Sequence, residues 1–343
     1  MDRIISYAEA LHEAACQEME RDPSIFIMGI GADDFKGIYG STTALAKKFG
    51  PSRVFDTPLS EDAMTGIAIG AALSGLRPIH IHIRMDFLLL SMNQIINMAA
   101  KMRSMYGGNF RAPIVIRAII GKSWGQGAQH SQGLHAFFMH VPGLKVFAPA
   151  TPADAKGCLI QALREPDPVV LIEHMLLHKQ IGPVPQESYC TPFGKTHQRT
   201  KGRDITLVGI SWMAVECLRA QKILQDKGIE AEVLDPVSLS PLDIETILTS
   251  VRKTRNLLVA DTAWTSCGAS AEILARVAEN FSGIEEIQVK RMGFAPVNCP
   301  TAPNLENLFY PNAETIARQA FQMIRPGQEL DIQPTSVVEA APF

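Results

Sequence analysis

The chain has 343 residues, 46% of them apolar and 20% charged, with a formal net charge of −3. That length favours two domains around sizeable cores, and the balanced charge with no long basic run argues against nucleic acid as a partner. No stretch reaches the ~20 apolar residues of a membrane helix, Met1-Asp2-Arg3-Ile4-Ile5-Ser6 lacks the basic-then-apolar layout of a signal peptide, and the six cysteines stand at no metal or redox spacing, so a cytoplasmic protein with reduced thiols is expected.

Strand-like and helix-like segments alternate. The runs Ile25–Met28, Pro78–Ile81, Ile114–Ile116, Leu144–Phe147 and Val169–Ile172 read as strands, and the helical patterns lie at about 6–20, 61–75, 88–105 and 151–163. Strands separated by helices give a mainly parallel sheet covered on both faces. From about 174 to 203 Pro and Gly accumulate and the rhythm breaks, as in a linker. It then resumes with strands at Ile205–Ile210, Glu232–Asp235, Asn256–Ala260 and near Ile287–Val289, and helices at about 212–227, 241–253 and 268–280. The expected fold class is therefore α/β in two domains, at 1–175 and 204–325, with a linker at 176–203 and a polar, Pro-rich tail at 326–343.

No P-loop, Gly-x-Gly-x-x-Gly or Gly-x-Ser-x-Gly motif is present. His80 and His82 share one face of a strand, but a metal would need a third ligand. Three polar clusters are candidates for chemistry. In Asp56-Thr57-Pro58-Leu59-Ser60-Glu61-Asp62, Glu61 stands at a strand-to-helix turn, where α/β proteins place ligands. It equally suits a helix N-terminus as a plain dipole complement. Gly121–Gln132 is a glycine-rich loop carrying His130, a residue suited to proton transfer near neutral pH or to an ordinary backbone contact. Arg84-Met85-Asp86-Phe87 ends a strand, and Phe87 there is either a platform for a flat ligand or core.

In this order the clusters resemble the beta subunit of the 2-oxo-acid dehydrogenase decarboxylating component, the pyruvate, branched-chain and acetoin type of the transketolase-like superfamily. The stretches that carry the resemblance include Arg53–Glu61, Gly66–Pro78, Gln94–Asn97 with Ala99–Lys101, Gln129–Gln132, Pro142–Val146, Asp154–Gly157, Pro168–Val170 and Leu239–Asp243, spanning about 1–325. The resemblance implies a pyrimidine-binding domain followed by a transketolase C-terminal domain. It implies thiamine diphosphate shared with an alpha-type subunit in a two-alpha, two-beta assembly. The alpha chain would hold the diphosphate and Mg²⁺ through a Gly-Asp-Gly motif, which is absent here.

By the same resemblance Glu61 lies against N1′ of the aminopyrimidine, and its chemistry leads to the expectation that it is buried, where its proton affinity can be tuned. Phe87 packs on the pyrimidine, with Leu59 and Leu90 beside it. His130 orients the substrate or assists acyl transfer. A structural K⁺ would involve Ile114, Ala162, Leu163, Glu165 and Asp167, mainly through backbone oxygens.

Several positions depart from the family pattern. Leu90 stands where pyruvate enzymes have Gln, and His80, His82 and Arg84 make their stretch more basic than usual. They suit an acidic or hydroxylated substrate, or a structural pairing of Arg84 with Asp86 or a neighbouring chain. Ala260–Trp264, Phe294–Pro300 and the tail also depart, in the region through which the family docks a lipoyl acyltransferase. The leading expectation is decarboxylation of a 2-oxo acid with transfer of the acyl group to a lipoyl acceptor. The alternatives are a split, transketolase-like acyl or ketol transferase in biosynthesis, and a non-catalytic assembly subunit.

Overall fold

A computed structural model describes residues 3–122, 125–281 and 286–332. They divide into two compact units. One holds the described residues up to 122 with Gln129–Phe193, the other 125–128 with those from Gly194 onward. Both are α/β.

In the first unit the strands are β1 (Arg3–Ser6), β2 (Ile25–Gly29), β3 (Val54–Phe55), β4 (Arg77–His82), β5 (Val115–Ile120), β6 (Lys145–Phe147), β7 (Val169–His174) and β8 (Ile181–Val184). Six of them run in the order β6-β7-β5-β4-β2-β3, with every neighbouring pair parallel. β2, β5 and β7 are buried at every position, which is why they read as unbroken apolar runs: helices cover both faces. Because the strands are parallel, their C-terminal ends line one edge, where folds of this kind bind ligands.

The helices of this unit are α1 (Tyr7–Arg21), α2 (Leu45–Phe49), α3 (Glu61–Leu73), α4 (Met85–Leu88), α5 (Met102–Met105), α6 (His135–Met139) and α7 (Pro152–Arg164). α1 opens with a capping box in which Ser6 and Glu9 satisfy each other's backbone. The single helix expected over 88–105 is broken: between α4 and α5 lie 3₁₀ turns at Leu89–Ser91 and Ala99–Lys101 around a π-helical stretch, Asn93–Met98. Two asparagines, both poor helix formers, bond to each other within that stretch (Asn97 Nδ2 to Asn93 Oδ1, 2.9 Å). The stretch faces α3, where Gly66 leaves room for the Gln94 side chain.

The stretch read as a linker is partly structured. β8 pairs antiparallel with β1, and residues 185–187 are gathered by a lysine. The Lys156 side chain is wholly buried on α7. Its ammonium donates to the carbonyls of Pro185 (2.7 Å), Gln186 (3.0 Å) and Glu187 (2.8 Å) and to Glu13 of α1 (2.6 Å).

The second unit contains β9 (His197–Gln198), β10 (Ile205–Gly209), β11 (Ala231–Asp235), β12 (Ser238–Ser240), β13 (Asn256–Trp264) and β14 (Gln288–Phe294), with helices α8 (Trp212–Gln225), α9 (Ile244–Thr254), α10 (Ala269–Phe281), α11 (Pro303–Phe309) and α12 (Ala313–Ile324). Its sheet runs β14-β13-β10-β11-β9, parallel except for the β9 edge. α11 and α12 were not expected from the sequence, although Asn312 and Thr315 form a capping box at the start of α12. Of the tail, 333–343 lies outside the described residues. No helix among the described residues is long and apolar enough to cross a membrane.

Candidate active site at the C-terminal edge of the first sheet

β3 ends at Phe55, and the turn that follows is organised by Asp56, whose Oδ1 accepts the amides of Gly31 and Thr57, both at 2.8 Å. Leu59 is left 81% exposed, and Glu61 starts α3. The expectation of a buried Glu61 is not met in this chain: its side chain is half-buried. The reason is its place on the helix. Glu61 lies on the same stripe as the buried Thr65, Ala68 and Ala72, but one turn beyond the end of the core.

Phe87 and His130 come together. α4 carries Phe87, 36% exposed, and its ring meets the half-buried imidazole of His130 edge to face, with centroids 5.1 Å apart. Leu90, in the next turn, is 61% exposed. Glu61, Phe87, Leu90 and His130 thus follow C-terminal strand ends along one edge of the sheet. In the loop before His130, Ser123 and Trp124 lie outside the described residues.

His80, His82 and Arg84 are all inside the unit, at 2%, 5% and 3% exposure. His80 faces Thr65 Oγ1 through Nε2 (3.1 Å) and the Met28 carbonyl through Nδ1 (3.4 Å), and Thr65 bonds to Ser91 (2.9 Å). These groups therefore tie β4 to α3 and to the turn after Leu90. The His82 ring packs against that of His80 at 4.3 Å. Arg84 donates to the Gly121 carbonyl at 3.1 Å, and its charge acts on the Asp86 carboxyl, favouring the ionised form against burial.

Burial pushes His80 down to about 4, and burial together with its neighbour His80 holds His82 well below the ordinary value. Both imidazoles are neutral in the folded protein, so the unfolded chain takes up protons first as pH falls. Stability is then complete above about 6.5 and declines as pH drops from there toward about 4. For His80 the full effect is ~3 kcal/mol. We expect urea midpoints to fall steeply from pH 6.5 to 5, with His80→Leu flattening that slope; an unchanged slope in the variant would show that His80 is not the group responsible.

The five residues of the expected K⁺ site gather at the opposite, N-terminal edge of the sheet. The Leu163 and Glu165 carbonyls accept from Arg77 Nη1 (2.9 and 3.1 Å), that of Ala162 from the Glu165 amide (3.2 Å), and that of Ile114 from the Val169 amide (3.0 Å). The Asp167 carboxylate takes Arg103 at 2.6 Å. Each carbonyl carries one donor and keeps a second lone pair. Among the described residues no three His, Cys, Asp or Glu side chains are grouped to hold a metal ion.

Sequence reasoning missed what holds this edge together. The His80–Thr65–Ser91 chain joins groups up to 26 residues apart, and Asp86 binds Gln132 across 46 positions. The sequence signals were an unusually polar strand end at 80–86 and the polar cluster Gly121–Gln132.

Comparison with known proteins agrees with this architecture. The transketolase pyrimidine-binding domain matches residues 3–179 and the transketolase C-terminal domain residues 194–316. The beta subunit of acetoin:2,6-dichlorophenolindophenol oxidoreductase from Cupriavidus necator is 42% identical over 96% of this chain and 100% of its own length. The beta-1 subunit of the mitochondrial pyruvate dehydrogenase E1 component from Oryza sativa subsp. japonica is 42% identical over 91% of this chain and 84% of its own. Among solved structures, a split-gene transketolase in an inactive beta4 tetramer superposes with a TM-score of 0.77, covering 93% of this chain and 98% of that one at 23% identity, a likeness of fold. The chain belongs to the beta subunits of the acetoin- and pyruvate-dehydrogenase E1 type, built from the two transketolase domains.

Proposed function

We propose that this chain is the beta half of a thiamine-diphosphate enzyme that cleaves a small 2-oxo acid and passes the acyl group to a lipoyl acceptor, in a site completed by an alpha-type chain. The observation that carries the reading is the half-buried Glu61 carboxyl at the same sheet edge as the exposed apolar side chains of Leu59, Phe87 and Leu90. That set fits a flat, weakly basic heteroaromatic ring: a carboxyl group to share a proton with a ring nitrogen, and apolar faces to hold the ring and exclude water. Glu61 would hold the proton at N1′ of the aminopyrimidine. Phe87 would pack on the ring, with Leu59 and Leu90 closing its sides. His130, in edge contact with Phe87, would orient the substrate carboxylate or move a proton on the acyl group. When bound, the cofactor supplies the electron sink for breaking the bond beside the carbonyl.

The diphosphate and Mg²⁺ fall to the alpha-type chain, since no Gly-Asp-Gly occurs in this sequence. A two-alpha, two-beta assembly, docking to a lipoyl acyltransferase, and a K⁺ on the spare lone pairs of Ile114, Ala162, Leu163 and Glu165 near Asp167 belong to the same reading. So does the assignment of 1–175 and 204–325 as the two catalytic domains, joined by 176–203 and followed by the 326–343 tail.

Leu90 supports a second substrate class. An apolar, exposed side chain at this position suits a neutral hydroxyketone, the class named for the Cupriavidus necator relative.

The test is co-expression with an alpha-type chain, calorimetric titration of thiamine diphosphate, and turnover of 2-oxo acids and hydroxyketones with an artificial electron acceptor. Turnover that needs both chains and the cofactor is expected, and the best substrate decides between the two classes. A stable complex that binds cofactor yet turns over neither class would remove the dehydrogenase reading and leave the split transferase.

A further inference from the structure

Three consecutive residues at the end of β4 reach three points of the segment that carries His130. Arg84 Nη1 donates to the Gly121 carbonyl (3.1 Å), where the segment leaves β5. Asp86 Oδ1 accepts both from the Gln132 amide (3.2 Å) and from Gln132 Nε2 (2.8 Å). The Leu134 amide lies 3.3 Å from the Met85 thioether, just before α6. Arg84, Met85 and Asp86 are 3%, 0% and 7% exposed, so these ties are made out of water. The next residue, Phe87, carries the ring that His130 meets edge-on.

The Asp86 carboxylate is an expensive way to make an internal tie. A buried carboxylate is tolerated only when its bonds repay its dehydration, and here both bonds of Oδ1 go to Gln132 while Oδ2 is buried with no partner among the described residues. Burial raises the pKa of Asp86 above the ordinary carboxylate range, against the opposing bonds from Gln132 and the charge of Arg84. The tethered segment is rich in glycine, with Gly121, Gly125, Gly127 and Gly133 within 13 residues, so its backbone has more conformations to be held against than an ordinary loop. Its start is also fixed in place, because Gly121 has φ +90° and a Cβ there would stand 1.9 Å from the His174 imidazole.

We propose that Arg84-Met85-Asp86 is a clasp on the His130 segment, with Asp86 a positioning residue that sets His130 against Phe87 for the reaction proposed above. The inference rests on that reading for its consequence in catalysis. The clasp itself can be measured without turnover.

The experiment uses the complete enzyme with its alpha-type chain and compares wild type, Asp86→Leu, Asp86→Asn and Gln132→Ala. Amide hydrogen exchange over 129–134 and steady-state kinetics are the two readouts. Asp86→Leu should speed exchange in that segment by on the order of tenfold. It should lower kcat on the order of 100-fold, as a misplaced catalytic group does, with KM within about threefold. Asp86→Asn keeps the Oδ1 acceptor and should restore most of both. Unchanged exchange in Asp86→Leu would overturn the clasp, and an Asp86→Asn as defective as Asp86→Leu would assign the effect to charge and overturn it too. If Asp86→Leu does not assemble, Gln132→Ala at the half-buried end of the tie must show the same faster exchange, and its absence would count against the proposal. A wild type that turns over no substrate while Asp86→Leu still loosens the segment would instead remove the proposed function and leave the clasp standing.

Discussion

In the assembled enzyme Glu61→Gln is expected to lower kcat by ~100- to 10,000-fold, the range over which a positioned acid–base group contributes. Gln keeps the length and hydrogen-bonding outline of Glu but cannot carry a titrating proton, so the chemical step loses the group while the ring's surroundings stay. Two competing effects are smaller. Glu61 also complements the N-terminus of α3, and losing one charge there costs about 0.3–1 kcal/mol, with Asp62 remaining in the same turn. Lost contact with the cofactor would raise its dissociation constant, but Leu59, Phe87 and Leu90 are untouched. The variant should therefore melt within a few degrees of wild type and still take up thiamine diphosphate in calorimetry. A Glu61→Gln enzyme with more than a tenth of wild-type kcat would sink the acid–base role. A variant that neither binds cofactor nor melts normally would instead show that Glu61 is structural.

The sequence was most legible where one physical rule acts alone. β2, β5 and β7 announced themselves as unbroken apolar runs because both faces of a parallel sheet are covered, and the helical pattern at 151–163 is realised in α7, which Thr151 caps and Pro152 starts. Legibility fell where the outcome depends on partners distant in sequence. Apart from Asn93 and Asn97, little in the composition of 88–105 marks the change from α to π geometry in the stretch that packs Gln94 beside Gly66 of α3. The 176–203 stretch looked like a linker because Pro and Gly are frequent there, yet β8 pairs with β1 more than 170 positions away. At the site, Glu61, Phe87 and His130 were reached through resemblance. Local pattern alone left each of them balanced between site and scaffold. The half-burial of Glu61 follows from where α3 outruns the core, a tertiary property that the helical pattern does not encode. Asp86 and Gln132 both stood in clusters noticed for their polarity, but that they bind each other is information only the fold holds.

Lys156→Met tests the least legible of these features, and its expected cost is large. The ammonium is buried between α1, α7 and residues 185–187, bound by one carboxylate and three carbonyls, with the Tyr189 ring 5.3 Å away. Met matches its length and apolar stem, so the loss is that of the charge and of three N–H donors shared among four acceptors. Removing one partner of a buried ion pair costs roughly 3–5 kcal/mol because the other is left without compensation. Two features favour the lower end. Glu13, held below the ordinary carboxylate range by Arg3 and Lys156 against the opposing effect of burial, retains Arg3. The backbone of 186–187 lies in exposed residues and can turn to water. Against them, the Lys156 side chain is wholly buried, and the chain just beyond packs closely on α7: a Cβ at Gly157 would stand 2.2 Å from Thr191 Oγ1. A loss of about 3 kcal/mol should lower the melting temperature by on the order of 10 °C in a unit of this size. It should be accompanied by proteolytic nicking between 185 and 191. Glu13→Gln in the same background should recover part of the loss, because it removes the charge left without Lys156. A Lys156→Met protein that melts within two or three degrees of wild type would mean that the carbonyls of 185–187 are satisfied without the lysine, and that β8 is held on β1 by its own ladder.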